Sequence, residues 1–413
     1  MKENKYASDA LYNTVGNIAY YFCLWLITVL IVRLSGYEDA GILSVAMTTT
    51  NIFFVIGNYG MRSFQSSDIN NEYSHSQYVT SRYISVALAF LFCVLFCIIG
   101  NYDRLHTLAI IIFMLFKCIE AFSDVLYGVW QAHSYLRFAG ISLCIKGAAN
   151  LSIFIVLMLF TKNLIFSLCG MVIVSLAILL IYDIPKTLSI SSNVFALTSN
   201  NFQKSIKLLQ HTFFMFVVSI CPMILQAIPK LMFEKLYTTS ELGIYSSISS
   251  PTTIIPTFVS CIMIPFLPLF AKYIDSQDCK KLFRLFICFY MGVIFIGIIA
   301  CVFASLIGDW ALYILFGEDL SEYISLLIGI IISVILICLL YCYNALFIAG
   351  RKLVSLAITY LASDLLCFIL SYFFVNRYGL MGIVYTLIFS QIAQCVLLTF
   401  MSIPFFTVHK KSN

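Results

Sequence analysis

Residues 113–130 read FMLFKCIEAFSDVLYGVW. Nearly every side chain suits hydrocarbon, yet Lys117, Glu120 and Asp124 are ionisable. At about 100° per residue the three fall within roughly 60° of one another on a helix. Gly128 and Gln131 continue the same face. Each charge facing lipid at mid-depth would cost about 2.5–3.5 kcal/mol on the insertion scale. The stripe therefore faces protein or water, while the Phe, Leu, Ile and Val of the other faces take the lipid.

The rest of the chain has the same character. Of 413 residues, 62% are hydrophobic and only 10% charged, and the mean hydropathy is +0.99. Soluble domains carry far more charge. Apolar runs near the 20 residues that cross a bilayer recur from end to end. The expected fold is all-α: a polytopic membrane protein with about twelve spans, at 11–34, 40–60, 83–100, 105–130, 138–160, 163–183, 207–233, 243–270, 284–307, 322–348, 354–375 and 379–403. The segment MKENKYASDALYNTVGN precedes a first span without a small-residue cleavage site, so it reads as a retained helix. The longest polar stretches are 61–82, 184–206 and 271–283.

Lys and Arg set the orientation. With the N-terminus inside, sixteen of them fall on the cytoplasmic side and six outside, so both termini are expected in the cytoplasm. The two halves echo each other. LSGYEDAGILSVAM (34–47) lies over LYTTSELGIYSSIS (236–249), and GVWQAHSYLRFAGIS (128–142) over ALFIAGRKLVSLAIT (345–359). Both pairings match span n to span n+6, which predicts a parallel repeat of two six-helix bundles, 1–195 and 196–413. Transporters built on repeats place their substrate site between them.

The fifth span supplies partners for the stripe. Ser142, Lys146 and Asn150 share a face, and Lys146 lies at a depth similar to Asp124. The expectation is a pairing of Lys146 with Asp124 or Glu120, and of Lys117 with Glu120 at i+3. Such a cluster either lines a transport path or only locks two helices together. On the eleventh span Tyr360, Asp364 and Ser371 form a second polar face, with no basic residue near Asp364 in sequence. Arg33 and Lys230 mark the outer ends of the first and seventh spans, and Arg62 the inner end of the second. Each of these cations either serves a cavity mouth or snorkels to headgroups. Pro222, Pro229, Pro251, Pro256, Pro265 and Pro268 crowd the seventh and eighth spans, where proline bends helices.

Several function classes find no support. There is no Walker loop, no Cys/His metal cluster and no large extramembrane loop with paired acids. The five histidines are scattered. Fourteen of the 15 cysteines lie in apolar runs, where they act as small packing residues. The net charge of +5 is dispersed among loops, so no nucleic-acid surface is expected.

NYGMRSFQSSDINNEYSHSQYVTSRYIS (58–85) and KCIEAFSDVLYGVWQAHSYLRFAGISLCIKGAAN (117–150) resemble bacterial polysaccharide flippases of the Wzx type, which move O-antigen or capsule repeat units. Their superfamily also holds lipid II flippases and multidrug–cation antiporters. Glu120, Asp124, Gln131 and Lys146 fall where such flippases tend to be polar, and Arg62 where they are commonly basic. The loop after the fourth span departs, with Tyr135–Leu136–Arg137 where relatives often have Arg–hydrophobic–Asp.

The resemblance implies transfer of an undecaprenyl-pyrophosphate-linked oligosaccharide from the inner to the outer leaflet of the bacterial cytoplasmic membrane, by alternating access. It implies no enzyme activity. Arg33, Arg62, Lys117, Lys146 and Lys230 are then the candidate substrate-binding cations. Glu120, Asp124, Asn150 and Asp364 would shape the cavity or couple to a cation, Na+ or H+. No other cofactor is expected. The partners would be the lipid-linked glycan, membrane lipids and polysaccharide assembly proteins. One feature opposes an anionic ligand: within the membrane, Lys117 and Lys146 face three carboxylates, Glu120, Asp124 and Asp364. That balance suits a multidrug–cation antiporter, the first alternative. A membrane glycan polymerase or ligase, the second, would need a sizeable outer domain.

Overall fold

The computed structural model describes residues 2–67, 72–196, 198–263 and 266–406. Every regular element among them is helical: α1 (Lys2–Ser35), α2 (Tyr37–Asn58), α3 (Met61–Ser67), α4 (His75–Gly100), α5 (Arg104–Ala132), α6 (Leu136–Thr161), α7 (Leu164–Ile178), α8 (Ile184–Ile190), α9 (Ser199–His211), α10 (Phe213–Leu236), α11 (Thr239–Ser249), α12 (Ile254–Met263), α13 (Leu267–Asp275), α14 (Cys279–Phe316), α15 (Ile324–Ala349), α16 (Leu353–Tyr378) and α17 (Leu380–Phe406). Eleven helical segments among the described residues are long and apolar enough to cross a membrane.

Polar residues at the turns start these helices. Asp103 accepts from the His106 backbone N–H, Asn163 from those of Ile165 and Phe166, and Asp278 from that of Lys281. Each satisfies a donor that the first turn leaves open. Thr238 and Glu241 close a reciprocal capping box at α11.

The span expected at 243–270 is not one helix. It is built from α11, a 3₁₀ turn at Ser250–Thr253, α12 and α13. Proline is the reason. Pro251 has no N–H for the helical ladder, and its ring would strike the carbonyl four residues back. Pro251 and Pro268 instead sit in the opening positions of new helical pieces, where the missing donor costs nothing. Pro265 lies outside the described residues. Pro222 and Pro229, in contrast, are carried inside a continuous α10.

A second departure concerns α7. The helix passes through a π turn, Leu179–Asp183, and continues as α8 to Ile190, beyond the end expected at 183. Pro185 follows the π turn and cannot donate to the chain behind it. The wider turn absorbs that loss.

The chain divides into two compact units, Met1–Ile220 and Cys221–Asn413. The sequence-based boundary at 195/196 would have left α9 and the start of α10 with the second unit. In the first unit α5 is the central element, touching α2, α3, α4, α6 and α7. The α1 and α6 helices meet backbone to backbone. A Cβ on Gly140 would lie 2.2 Å from the Tyr12 carbonyl oxygen, and one on Gly16 2.4 Å from that of Gly140. Small residues allow such approach between helices in lipid. In the second unit α15 is central, touching α12, α13, α14 and α17.

Candidate functional site

The charged groups of the α5 stripe, Lys117, Glu120 and Asp124, all find partners within the protein. Toward its N-terminal end Lys117 pairs with Glu120 at 2.7 Å, as the i+3 spacing predicts. The Lys117 ammonium also lies 4.9 Å from the Phe54 ring centre, with Phe113 and Phe116 beyond. Aromatic faces of this kind attract a desolvated cation.

One turn on, Asp124 is held between two arginines. Its Oδ1 is 3.3 Å from Arg62 Nη1 of α3, and its Oδ2 is 3.2 Å from Arg82 Nη2 of α4. Arg62 also donates from Nε to Gln131 Oε1 at 3.3 Å and sits over the Tyr127 ring. Gly128 gives way to Gln65, whose Oε1 would lie 2.1 Å from an added Cβ. Both ends of the Gln65 amide are buried and find no hydrogen-bond partner among the described residues. Tyr21 of α1 lies within electrostatic reach of both Asp124 and Arg62.

The two arginines differ in surroundings. Arg82 is completely buried and donates to the Gly57 carbonyl at 2.6 Å and to Asn58 Oδ1 at 3.0 Å, so it also closes the end of α2. The Arg62 side chain is 25% exposed and that of Asp124 22%. The cluster is thus dry at the Arg82 end and open at the Arg62 end.

The expected pairing of Lys146 with Asp124 or Glu120 is not what forms. Lys146 pairs with Asp183 at 2.5 Å. Its ammonium also donates to Ser123 Oγ at 2.5 Å and to the Tyr127 hydroxyl at 3.0 Å, while Ser142 donates to the other Asp183 oxygen at 2.6 Å. All three ammonium hydrogens therefore have acceptors in a fully buried site. Asp183 is the last residue of the π turn, and there it meets both Ser142 and Lys146 of α6. Asn150 exchanges hydrogen bonds with Ser175 at 2.9 and 3.1 Å, one helix over.

The remaining candidates stand on other helices, α1, α10 and α16. Arg33 is exposed in the last turn of α1. Lys230 of α10 sits 5.6 Å from the Tyr245 ring centre, in the second unit. Asp364 of α16 is also in that unit, buried beside Cys221, with Oδ1 lacking a hydrogen bond. No ion pair reaches Asp364 among the described residues. Below it Tyr360 donates to Asn344.

Sequence reasoning missed two members of the site. The span expected at 83–100 leaves Arg82 in the preceding loop, but α4 begins at His75 and carries Arg82 two turns inside. The span expected at 163–183 ends on Asp183. A signal did exist: Asp183 is the only acidic residue between Asp124 and Glu234, and a mid-membrane Lys146 needs a counter-ion. With both included, the charge balance changes. Around α5 four cations (Arg62, Arg82, Lys117 and Lys146) meet three carboxylates (Glu120, Asp124 and Asp183). Counted together with Asp364, four cations face four carboxylates, so the sequence-level excess of negative charge disappears; around α5 alone one positive charge is left over.

This helical arrangement is the fold of the MOP superfamily. The structure matches the lipid II flippase MurJ in an inward closed conformation with a TM-score of 0.71 at 15% identity, over 95% of this chain and 89% of that one. It matches an inward-facing multidrug resistance MATE family transporter with a TM-score of 0.68 at 13% identity, over 97% and 96%. The chain belongs to the polysaccharide biosynthesis protein family, whose profile matches residues 7–274. It is 28% identical over 395 residues to the capsular polysaccharide biosynthesis protein CapF of Staphylococcus aureus, covering 93% of this chain and 96% of that protein.

Proposed function

We propose that this protein is a flippase. It carries an undecaprenyl-pyrophosphate-linked oligosaccharide from the inner to the outer leaflet of the cytoplasmic membrane by alternating access, with both termini in the cytoplasm. The observation that carries the reading is Arg62: a guanidinium within a membrane protein, a quarter exposed, on the open side of a net-cationic cluster. A sugar headgroup cannot cross hydrocarbon without a polar path. A pyrophosphate needs cationic donors, and arginine offers them in a planar fork. The capsular relative and the MurJ-like fold support the same substrate class.

Arg62 is the cation we assign to the headgroup. Lys146 and Lys117, each already paired, give the site its net charge and hold its walls. The multidrug reading is disfavoured by that net charge, since an organic cation would meet like charge.

The test is export in cells that lack the native protein. Arg62→Ala is expected to cut surface glycan at least tenfold and to leave lipid-linked repeat units in the inner leaflet, while drug resistance of a sensitive host does not change. Full export by Arg62→Ala, or drug resistance conferred by the wild-type protein, would overturn the assignment.

A further inference from the structure

Resting on that reading, we infer that Asp124 is an internal stand-in for the substrate's pyrophosphate: it occupies Arg62 in the unloaded protein and gives it up to the incoming anion, while Arg82 keeps the carboxylate neutralised.

The geometry around Asp124 is asymmetric. On one side Arg82 is fully buried and fixed by three acceptors: the Gly57 carbonyl, Asn58 and Asp124 Oδ2. On the other side Arg62 is partly exposed, and both its hydrogen bonds, to Asp124 Oδ1 and Gln131 Oε1, are 3.3 Å long. Arg82 meets Asp124 at a similar 3.2 Å, so what sets it apart is its complete burial and its bonds to Gly57 at 2.6 Å and Asn58 at 3.0 Å. Arg62 also sits at the start of α3, entered through Tyr59 and Gly60, both with positive φ. One arginine is therefore built in and the other is loosely held.

That asymmetry decides what an arriving anion can do. If Arg62 were the only partner of Asp124, moving it to a phosphate would strand a carboxylate in low dielectric, and the exchange would be opposed. Because Arg82 stays, one anion replaces another on Arg62 and no charge is left uncompensated. Return of Arg62 to Asp124 then displaces the phosphate after transfer. Gln131 accepts from Arg62 without carrying a charge, so it guides the guanidinium without competing with the ligand.

The inference is tested by binding of undecaprenyl pyrophosphate in detergent micelles to the purified full-length protein, read alongside glycan export in cells. Asp124→Asn removes the competing charge and is expected to bind the probe about tenfold more tightly or better, yet to export more slowly. Gln131→Glu adds a competing charge at a half-buried position and is expected to weaken binding by about the same factor. Both effects should vanish in an Arg62→Ala background. Should Asp124→Asn fail to fold, the Gln131→Glu result decides alone. If a folded Asp124→Asn binds no more tightly than wild type, or Gln131→Glu binds equally well, the exchange is overturned. The flippase reading would survive that result, provided wild type binds the probe and depends on Arg62. Absence of any binding by wild type and both variants would overturn the two together.

Discussion

Asp183 and Lys146 lie 2.5 Å apart where neither is open to solvent. A buried pair of this kind is hard to leave half-made. Removing one partner strands the other and costs about 3–5 kcal/mol, whereas replacing both with apolar residues of similar volume is often neutral or stabilising. Asp183→Ala is therefore expected to lower the unfolding temperature in detergent sharply, and Lys146→Met/Asp183→Leu to recover most of the loss. Thermal unfolding of the single and double variants checks this. If the double variant were no more stable than Asp183→Ala, Lys146 would have a role beyond its partner. The same reasoning places Lys146 with the framework and leaves Arg62, with its exposed edge, as the residue on which transport depends.

The helices owe their close fit to two local devices. One is glycine. At the α1–α6 contact Gly140 leaves no room even for a methyl group, because the obstructing atoms belong to the Tyr12 backbone and cannot swing aside. Gly140→Leu is expected to force the two helices apart and to cost at least the 1–3 kcal/mol typical of overpacking, seen as a lower yield of folded protein in detergent. The other device is the π turn of Leu179–Asp183. Its last residue, Asp183, is the one that pairs with Lys146 of α6.

At the scale of the whole molecule, orientation depends on whether α11–α13 crosses the membrane. Eleven single segments alone would put the two termini on opposite sides; a crossing by the broken segment would be the twelfth and would return both to one side. In a variant with the other cysteines replaced, Cys279 is expected to react with an impermeant maleimide only after cells are permeabilised. Ser321→Cys, beyond α14, is expected to react in intact cells. Labelling of Cys279 in intact cells would mean that α11–α13 folds back on one side.

The amino-acid sequence by itself determined that the chain is a series of apolar helices of membrane-crossing length, because hydrocarbon thickness sets that length. It also determined that the Lys117–Glu120–Asp124 face must turn inward, because helical period fixes a face and lipid rejects charge. The Lys117–Glu120 pair was legible too, since it is local to one turn. Which partner each remaining charge finds was decided only by the tertiary structure. Lys146 chose Asp183, and Asp124 took both Arg62 and Arg82, through helix starts, a π turn and a short interposed helix that shift depth and rotation by a turn or less. Periodicity places a charge on a side of its own helix, but only packing decides what stands opposite.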